Sequence, residues 1–228
     1  MDPITIPAIS SDRPSFTLIW LHGLGADALD FEDFQQELHQ FSDIENVKLI
    51  LPEAPARTIT AAGKEMRGWF DIKEELTEDN LPDDFGGMDA SVELVDAIVT
   101  AEKAAHPDTP VVLGGFSQGA VIALLAGFEA PERIAGVIAL SGFVPEHPRF
   151  AEISDVAKSL PVFIGHGMLD PVVPVSIINS GVARLNNVGA SVSLRTYPML
   201  HEICPDEMKD LGDFLRDTMP ELFREEAA

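Results

Sequence analysis

The sequence predicts an α/β fold in which a mostly parallel central sheet carries helices on both faces. Short apolar runs bounded by proline or glycine alternate with segments of helical periodicity, and this alternation is typical of parallel sheets. A chain of 228 residues is long enough to bury a substantial core. We therefore expect a single domain over residues 1–228, without a large separate cap domain.

The expected elements follow one another in regular order. Strands are predicted at 15–21, 47–51, 111–113, 136–140, 161–166 and 192–197, and helices at 28–41, 88–105, 120–128, 174–187 and from Pro205 onward. Residues 1–14, interrupted by prolines, are expected to form an edge strand or a lead-in, and residues 224–228 a frayed tail. Residues 53–84 lack strong periodicity, which predicts a long irregular loop of the kind that often borders a functional site.

The most informative stretch is the sequence Gly-Phe-Ser-Gln-Gly at residues 115–119, which has the pattern G-x-S-x-G. An apolar β-branched run precedes it, and a segment that is apolar on every side follows it. The two glycines allow a sharp turn from strand to helix, so Ser117 is predicted to stand at the tip of that turn as a nucleophile. The alternative is a glycine-rich turn with an incidental serine.

A serine hydroxyl is a weak nucleophile, so Ser117 needs a base that an acid orients. Ligand sites of open α/β sheets lie at the carboxyl ends of strands, and in this arrangement the acid and then the histidine follow the serine. His201 follows the last predicted strand and lies downstream of every candidate acid. It is the predicted general base. The other histidines fit less well, by order or by position: His22, His39, His106, His147 and His166.

The predicted acid is Asp170, four residues beyond the strand that ends at His166. Its expected role is to accept the Nδ1–H of His201, which sets the tautomer and stabilises the imidazolium. Asp155 and Glu152 lie between two strands and remain alternatives.

An acyl-transfer reaction also needs hydrogen-bond donors for the developing oxyanion. One predicted donor is the backbone N–H of Gln118, directly after the nucleophile. The other is that of Leu24, in the glycine-containing loop at residues 22–27 after the first long strand. The alternative for this loop is a simple glycine turn.

Several segments together resemble the phospholipase/carboxylesterase family, the acyl-protein thioesterase branch of the α/β-hydrolases. They are residues 21–27 (LHGLGAD), 67–72 (RGWFDI), 114–119 (GGFSQG), 165–174 (GHGMLDPVVP) and 201–205 (HEICP). The resemblance implies an α/β-hydrolase fold and hydrolysis of short to medium carboxylic esters, with neither cofactor nor metal. Acyl-protein thioesters and lysophospholipids are the alternative substrates.

The same resemblance implies that Trp69, Phe143 and Val173 border the acyl site. One departure is that Met199 and Leu200 stand shortly before His201, where family members commonly carry a glycine. These bulkier side chains are expected to narrow the acyl pocket.

Composition limits the partners of the chain. Its 38 acidic residues against 15 basic ones give a net charge of −23, which disfavours nucleic acid and anionic membranes. One cysteine, Cys204, excludes an intramolecular disulfide, and we expect it to occupy the capping position of the last helix. The N-terminus lacks a signal-peptide pattern and no apolar run is long enough to span a membrane, so a cytoplasmic protein is expected.

The expected partner is a small-molecule ester or acyl thioester, and a homodimer remains open. A hydrolase scaffold used only for binding is the competing hypothesis. The complete set of nucleophile, base and acid argues against it, because binding alone does not require these groups.

Overall fold

The computed structural model describes residues 2–9 and 14–223. Its strands are β1 (Ile4–Ile6), β2 (Phe16–Leu21), β3 (Val47–Leu51), β4 (Ala56–Ile59), β5 (Lys64–Arg67), β6 (Val111–Phe116), β7 (Gly136–Leu140), β8 (Val162–Gly167) and β9 (Val192–Tyr197). Seven strands form the main sheet in the order β1-β3-β2-β6-β7-β8-β9, and only β1 is antiparallel to its neighbour. The predicted mostly parallel sheet is confirmed. The predicted tail at 224–228 lies outside the described residues.

Helices cover both faces of this sheet. They are α1 (Phe34–Ser42), α2 (Phe85–Ala105), α3 (Gln118–Glu129), α4 (Asp155–Ser159), α5 (Val175–Asn187) and α6 (Pro205–Thr218). Along β2, Leu18 and Trp20 pack toward α1 and α6, whereas Ile19 and Leu21 pack toward α2 and α3. Burial on both faces explains why the strands are continuous apolar runs rather than alternating ones.

The segment at 53–84 differs in part from the irregular loop that was predicted. β4 and β5 pair there as an antiparallel hairpin, separate from the main sheet. Five of their eight residues are polar or charged, and Ile59 alone is fully buried. A ribbon with so little buried surface leaves no hydrophobic periodicity in the sequence.

The predicted helix at 28–41 is divided. A 3-10 turn, Ala28–Phe31, precedes α1 and is held by a reciprocal capping box between Asp27 and Asp30. The capping box of Asp27 and Asp30 therefore begins a separate short 3-10 turn before α1.

β6 continues through Gly114 and Gly115, beyond its predicted end at residue 113. A Cβ added at Gly114 would lie 2.6 Å from the Trp20 ring, and one at Gly115 would lie 2.5 Å from the carbonyl carbon of Gly119. A Cβ at Gly119 would in turn lie 2.1 Å from the carbonyl oxygen of Leu21. The glycines of the motif thus allow the first turn of α3 to lie against the ends of β2 and β6.

A buried carboxyl group lies in the first turn of α6. Glu207 is fully buried, and its carboxyl oxygens have no hydrogen-bond partner among the described residues. A Cβ added at Gly165 of β8 would lie 2.1 Å from its Oε1, so only glycine leaves room for the carboxyl group. Burial raises the pKa of Glu207 to about 8. The group is therefore protonated at neutral pH.

Glu207 makes the stability of the fold depend on pH. An unfolded glutamate titrates near pH 4.3, so between about pH 4.5 and 8 the folded chain holds a proton that the unfolded chain has lost. The free energy of unfolding should fall as pH rises through this window, by up to about 1.4 kcal/mol per pH unit. Glu207→Gln is uncharged throughout and should lose this dependence. Urea denaturation of the wild type and of Glu207→Gln at pH 5 and pH 8 measures the free energy of unfolding. The prediction would be contradicted if the difference in this free energy between the two proteins were the same at both pH values.

Candidate active site

Ser117 occupies the turn between β6 and α3 with backbone angles φ 55° and ψ −118°. A positive φ is strained for any residue other than glycine and costs roughly 1–3 kcal/mol. The backbone N–H of Ser117 donates a hydrogen bond to the carbonyl of Leu140 in β7 at 2.8 Å, which holds the turn on the sheet. This is the geometry of a nucleophile elbow, in which the serine side chain stands clear at the edge of the sheet.

The structure brings the three predicted catalytic residues together. The Nε2 of His201 lies 3.0 Å from the Oγ of Ser117, and its Nδ1 lies 2.7 Å from the Oδ2 of Asp170. The residues come from the loops after β6, β8 and β9. Because these strands are parallel, their carboxyl ends meet at one edge. The arrangement is a continuous chain of hydrogen bonds from carboxylate to hydroxyl.

The Asp170 carboxylate is fixed from more than one side. Its Oδ1 accepts the backbone N–H groups of Val172 at 2.8 Å and Val173 at 2.9 Å, which leaves Oδ2 for His201. His166 is fully buried beside it, with its Nε2 donating to the carbonyl of Val173 at 2.8 Å. Burial lowers the pKa of His166, so this ring is a neutral support of the loop. The carboxylate is oriented before any substrate binds.

The alternative acids lie elsewhere. The Asp155 side chain is 95% exposed and pairs with Lys158 at 2.7 Å, and Glu152 is also exposed. Neither has a contact with His201 among the described residues.

The two predicted oxyanion donors flank Ser117. Leu24 lies in the loop after β2, Gln118 is the first residue of α3, and both line the cavity beside the serine. Within residues 2–9 and 14–223, neither backbone N–H donates a hydrogen bond to another group of the protein. A Cβ at Gly23 would lie 3.4 Å from the Cβ of Ser117, so this loop passes the nucleophile at van der Waals distance. Two open N–H groups and the positive end of α3 therefore lie beside Ser117.

A cavity of about 400 Å³ opens at Ser117. Most of its wall is apolar, formed by Leu24, Phe31, Ile72, Leu76, Phe116, Phe143, Val172 and Val173. Phe143 and Val173 are where the sequence predicted them. Phe31 lies in the segment predicted as the helix 28–41. Leu76 lies in an acidic stretch, with Glu75 before it and Glu78 two residues after it, and a lone leucine among glutamates is the signal that could have identified it.

Three predicted contributors to the pocket lie outside its wall. Trp69 is fully buried behind it and donates its indole N–H to the carbonyl of His22 at 2.8 Å. Met199 is buried in its loop and Leu200 is about half exposed. These last two side chains therefore do not narrow the cavity.

Other candidate sites contain none of the three predicted catalytic residues. A polar cavity of about 910 Å³ lies between β9 and α6. Across the described residues, the one group of three side chains able to hold a metal ion is the exposed cluster of His39, Asp43 and Glu45 near the end of α1. Cys204 occupies the N-cap position of α6, and burial raises the pKa of its thiol, which disfavours a nucleophilic thiolate.

The sheet order, the parallel pairing and the strand–turn–helix at Ser117 define an α/β-hydrolase. The family model described as phospholipase/carboxylesterase matches residues 6–219, and the chain belongs to that family. Acyl-protein thioesterase 1 of Mycosarcoma maydis is 36% identical over 229 residues, covering 92% of this chain and 94% of the relative.

Solved structures agree with the assignment. SOBER1 of Arabidopsis thaliana has a TM-score of 0.82 at 27% identity, covering 90% of this chain and 99% of that chain. Acyl-protein thioesterase 2 of Zea mays has a TM-score of 0.79 at 27% identity, covering 95% of this chain and 98% of that chain. The chain is an enzyme of the serine hydrolase class. In the part of the chain that the structure describes, no helix is both long and apolar enough to cross a membrane.

The contacts of Asp170 predict the effect of its replacement. Asp170→Asn should lower kcat by about 10³–10⁴-fold, because an amide that donates to Nδ1 would favour the wrong tautomer of His201. Asp155→Asn is the control and should leave the rate unchanged, since that carboxylate is exposed and pairs only with a surface lysine. Hydrolysis of a p-nitrophenyl ester measures both. A large loss of kcat in Asp155→Asn with a small loss in Asp170→Asn would instead assign the role of the acid to Asp155.

Proposed function

We propose that this enzyme is a thioesterase that removes acyl groups from proteins through an acyl-enzyme on Ser117. The observation that carries the proposal is the chain of hydrogen bonds from Asp170 through His201 to Ser117 at the mouth of an apolar cavity. A cavity of about 400 Å³ falls within the usual range for small-molecule sites, about 300–1,000 Å³. Its apolar wall suits an acyl chain rather than a polar substrate.

In the proposed first half-reaction, Ser117 Oγ attacks the acyl carbon while His201 Nε2 takes the hydroxyl proton. Asp170 holds the Nδ1–H of the resulting imidazolium, and the N–H groups of Leu24 and Gln118 bind the oxyanion. When the tetrahedral intermediate collapses, His201 returns its proton to the leaving group. In the second half-reaction, His201 activates a water molecule that releases the acid from Ser117.

The leaving group favours thioesters over ordinary esters for this machinery. A cysteine thiol ionises near pH 8.5, so its thiolate leaves with little help from the imidazolium. An alkoxide is far more basic and depends on protonation by His201. An enzyme with this triad therefore needs less proton transfer from His201 to deacylate a cysteine than to deacylate a serine or a lipid hydroxyl.

The proposal reverses the order expected from the sequence, where short to medium carboxylic esters came first and acyl-protein thioesters second. The names of the Mycosarcoma maydis and Zea mays relatives support the thioester. Lysophospholipids use the same acyl chemistry and remain the second candidate. Among the described residues, the wall of this cavity has no lysine or arginine that could pair with their phosphate. A cytoplasmic location stays a prediction from the sequence.

The nucleophile can be tested directly. A fluorophosphonate probe should label the wild-type protein, and Ser117→Ala should abolish labelling and activity because no other hydroxyl contacts His201 Nε2 among the described residues. Ser180→Ala, which removes an exposed hydroxyl in α5, is the matched control and should label normally. Persistent labelling of Ser117→Ala would place the nucleophile elsewhere.

The substrate class can be tested with matched peptides. One peptide carries an octanoyl or palmitoyl group on a cysteine sulfur and its partner carries the same group on a serine oxygen. We expect kcat/KM to be at least about tenfold higher for the thioester, for the reason given by the leaving-group pKa. A steep fall of kcat/KM beyond short p-nitrophenyl esters, with slow thioester cleavage, would return the assignment to a short-chain carboxylesterase.

A further inference from the structure

The side chain of Gln118 is engaged with another segment of the protein and is not free for a substrate. Its Oε1 accepts the backbone N–H of Trp69 at 2.6 Å, and its Nε2 donates to the carbonyl of Phe70 at 2.7 Å. Both bonds are buried. Through these two bonds the Gln118 side chain fixes the backbone of residues 69–70.

The segment at 67–70 in turn holds the loop that carries Leu24. The indole N–H of Trp69 donates to the carbonyl of His22 at 2.8 Å, and the carbonyl of Arg67 accepts the N–H of Gly25 at 2.9 Å. These two bonds lie on either side of Leu24. The segment at 67–70 is therefore a physical link between the two proposed oxyanion donors.

Further contacts fix both ends of this link. The Trp69 carbonyl accepts a hydrogen bond from the hydroxyl of Ser91 in α2. His22 donates from Nδ1 to the carbonyl of Gly23 at 2.8 Å and accepts the N–H of Ala54 on Nε2 at 3.1 Å, which requires the neutral imidazole. Burial lowers the pKa of His22 and so favours that form. The loop has its conformation set before a substrate arrives.

We propose that the Gln118 side chain and Trp69 are positioning residues that fix the N–H of Leu24 relative to the N–H of Gln118, so that the oxyanion hole is preformed by the segment at 67–70. The inference rests on the proposed acyl-transfer function of Ser117. The position of the Gln118 backbone N–H does not depend on the Gln118 side chain. The position of the Leu24 N–H depends on both the Gln118 side chain and Trp69. Trp69 acts behind the cavity wall and not as a substrate contact.

Oxyanion donors bind the transition state more strongly than the substrate, so a displaced donor lowers kcat and leaves KM nearly unchanged. A general loss of packing has no such selectivity. The split between kcat and KM therefore distinguishes a positioning role from a structural one.

The chain supplies its own control for Trp69, because its only other tryptophan is equally buried. Trp20 packs on the opposite face of the sheet, and among the described residues its indole nitrogen has no hydrogen-bond partner. Trp69→Phe and Trp20→Phe remove the same atoms from buried sites. Only the first removes a bond to the oxyanion loop.

The experiment compares wild type, Trp69→Phe, Trp20→Phe and Gln118→Met on one p-nitrophenyl ester that the wild type hydrolyses. It also measures the inhibition constant of an alkyl boronic acid, which forms a tetrahedral adduct with the serine, and the affinity of the product carboxylate. We expect Trp69→Phe and Gln118→Met to lose kcat by about tenfold or more, with a matching loss of boronate affinity. KM and product affinity should change less than about twofold, and Trp20→Phe should resemble the wild type.

Two results would overturn the proposal. One is a kcat and a boronate affinity of Trp69→Phe and Gln118→Met within about twofold of Trp20→Phe. The other is a loss of kcat with an equal loss of product affinity, or a loss of kcat that parallels the loss of thermal stability across the three variants. Failure of the proposed function is separate, since it would appear as activity or fluorophosphonate labelling that survives Ser117→Ala.

Discussion

The close approach of α3 to the ends of β2 and β6 is the constraint on which the site depends. Gly119 lies where any side chain would collide with the carbonyl oxygen of Leu21, and Gly115 lies where one would collide with Gly119. With no Cβ at these places, the helix begins directly against the sheet and Ser117 is forced to a φ of 55°. The strain in one residue, roughly 1–3 kcal/mol, is sustained by the buried apolar surface of β6 and α3 on either side.

This geometry distributes the chemistry among neighbouring strand ends. β2, β6, β8 and β9 are parallel, so the loops after them meet at one edge of the sheet. The proposed oxyanion loop, nucleophile, acid and base come from these four loops in that order. Each loop is held by its own bonds to backbone, as Asp170 is by Val172 and Val173. The site is preorganised because the sheet beneath it is rigid and each loop is separately fixed.

Both faces of the sheet are covered, but they contribute differently. The face under α2 and α3 supports the 67–70 segment and hence the proposed oxyanion hole, through Ser91 and Gln118. The face under α1 and α6 carries the protonated Glu207 against Gly165. One carboxyl group there links stability to pH without touching the proposed catalytic residues.

Local patterns predicted the parallel strands of the main sheet and the strand–turn–helix at Ser117, because apolar runs and the G-x-S-x-G motif act over a few residues. The choice of Asp170 and His201 then followed from their positions after predicted strands and from their order behind Ser117. The hairpin of β4 and β5 escaped prediction, since its polar residues carry no periodic signal. Only the tertiary structure decided that Trp69 lies behind the cavity wall and that Phe31 and Leu76 lie in it. These outcomes depend on contacts between residues far apart in the chain, such as Gln118 with Trp69, and no local pattern encodes which distant segments will meet.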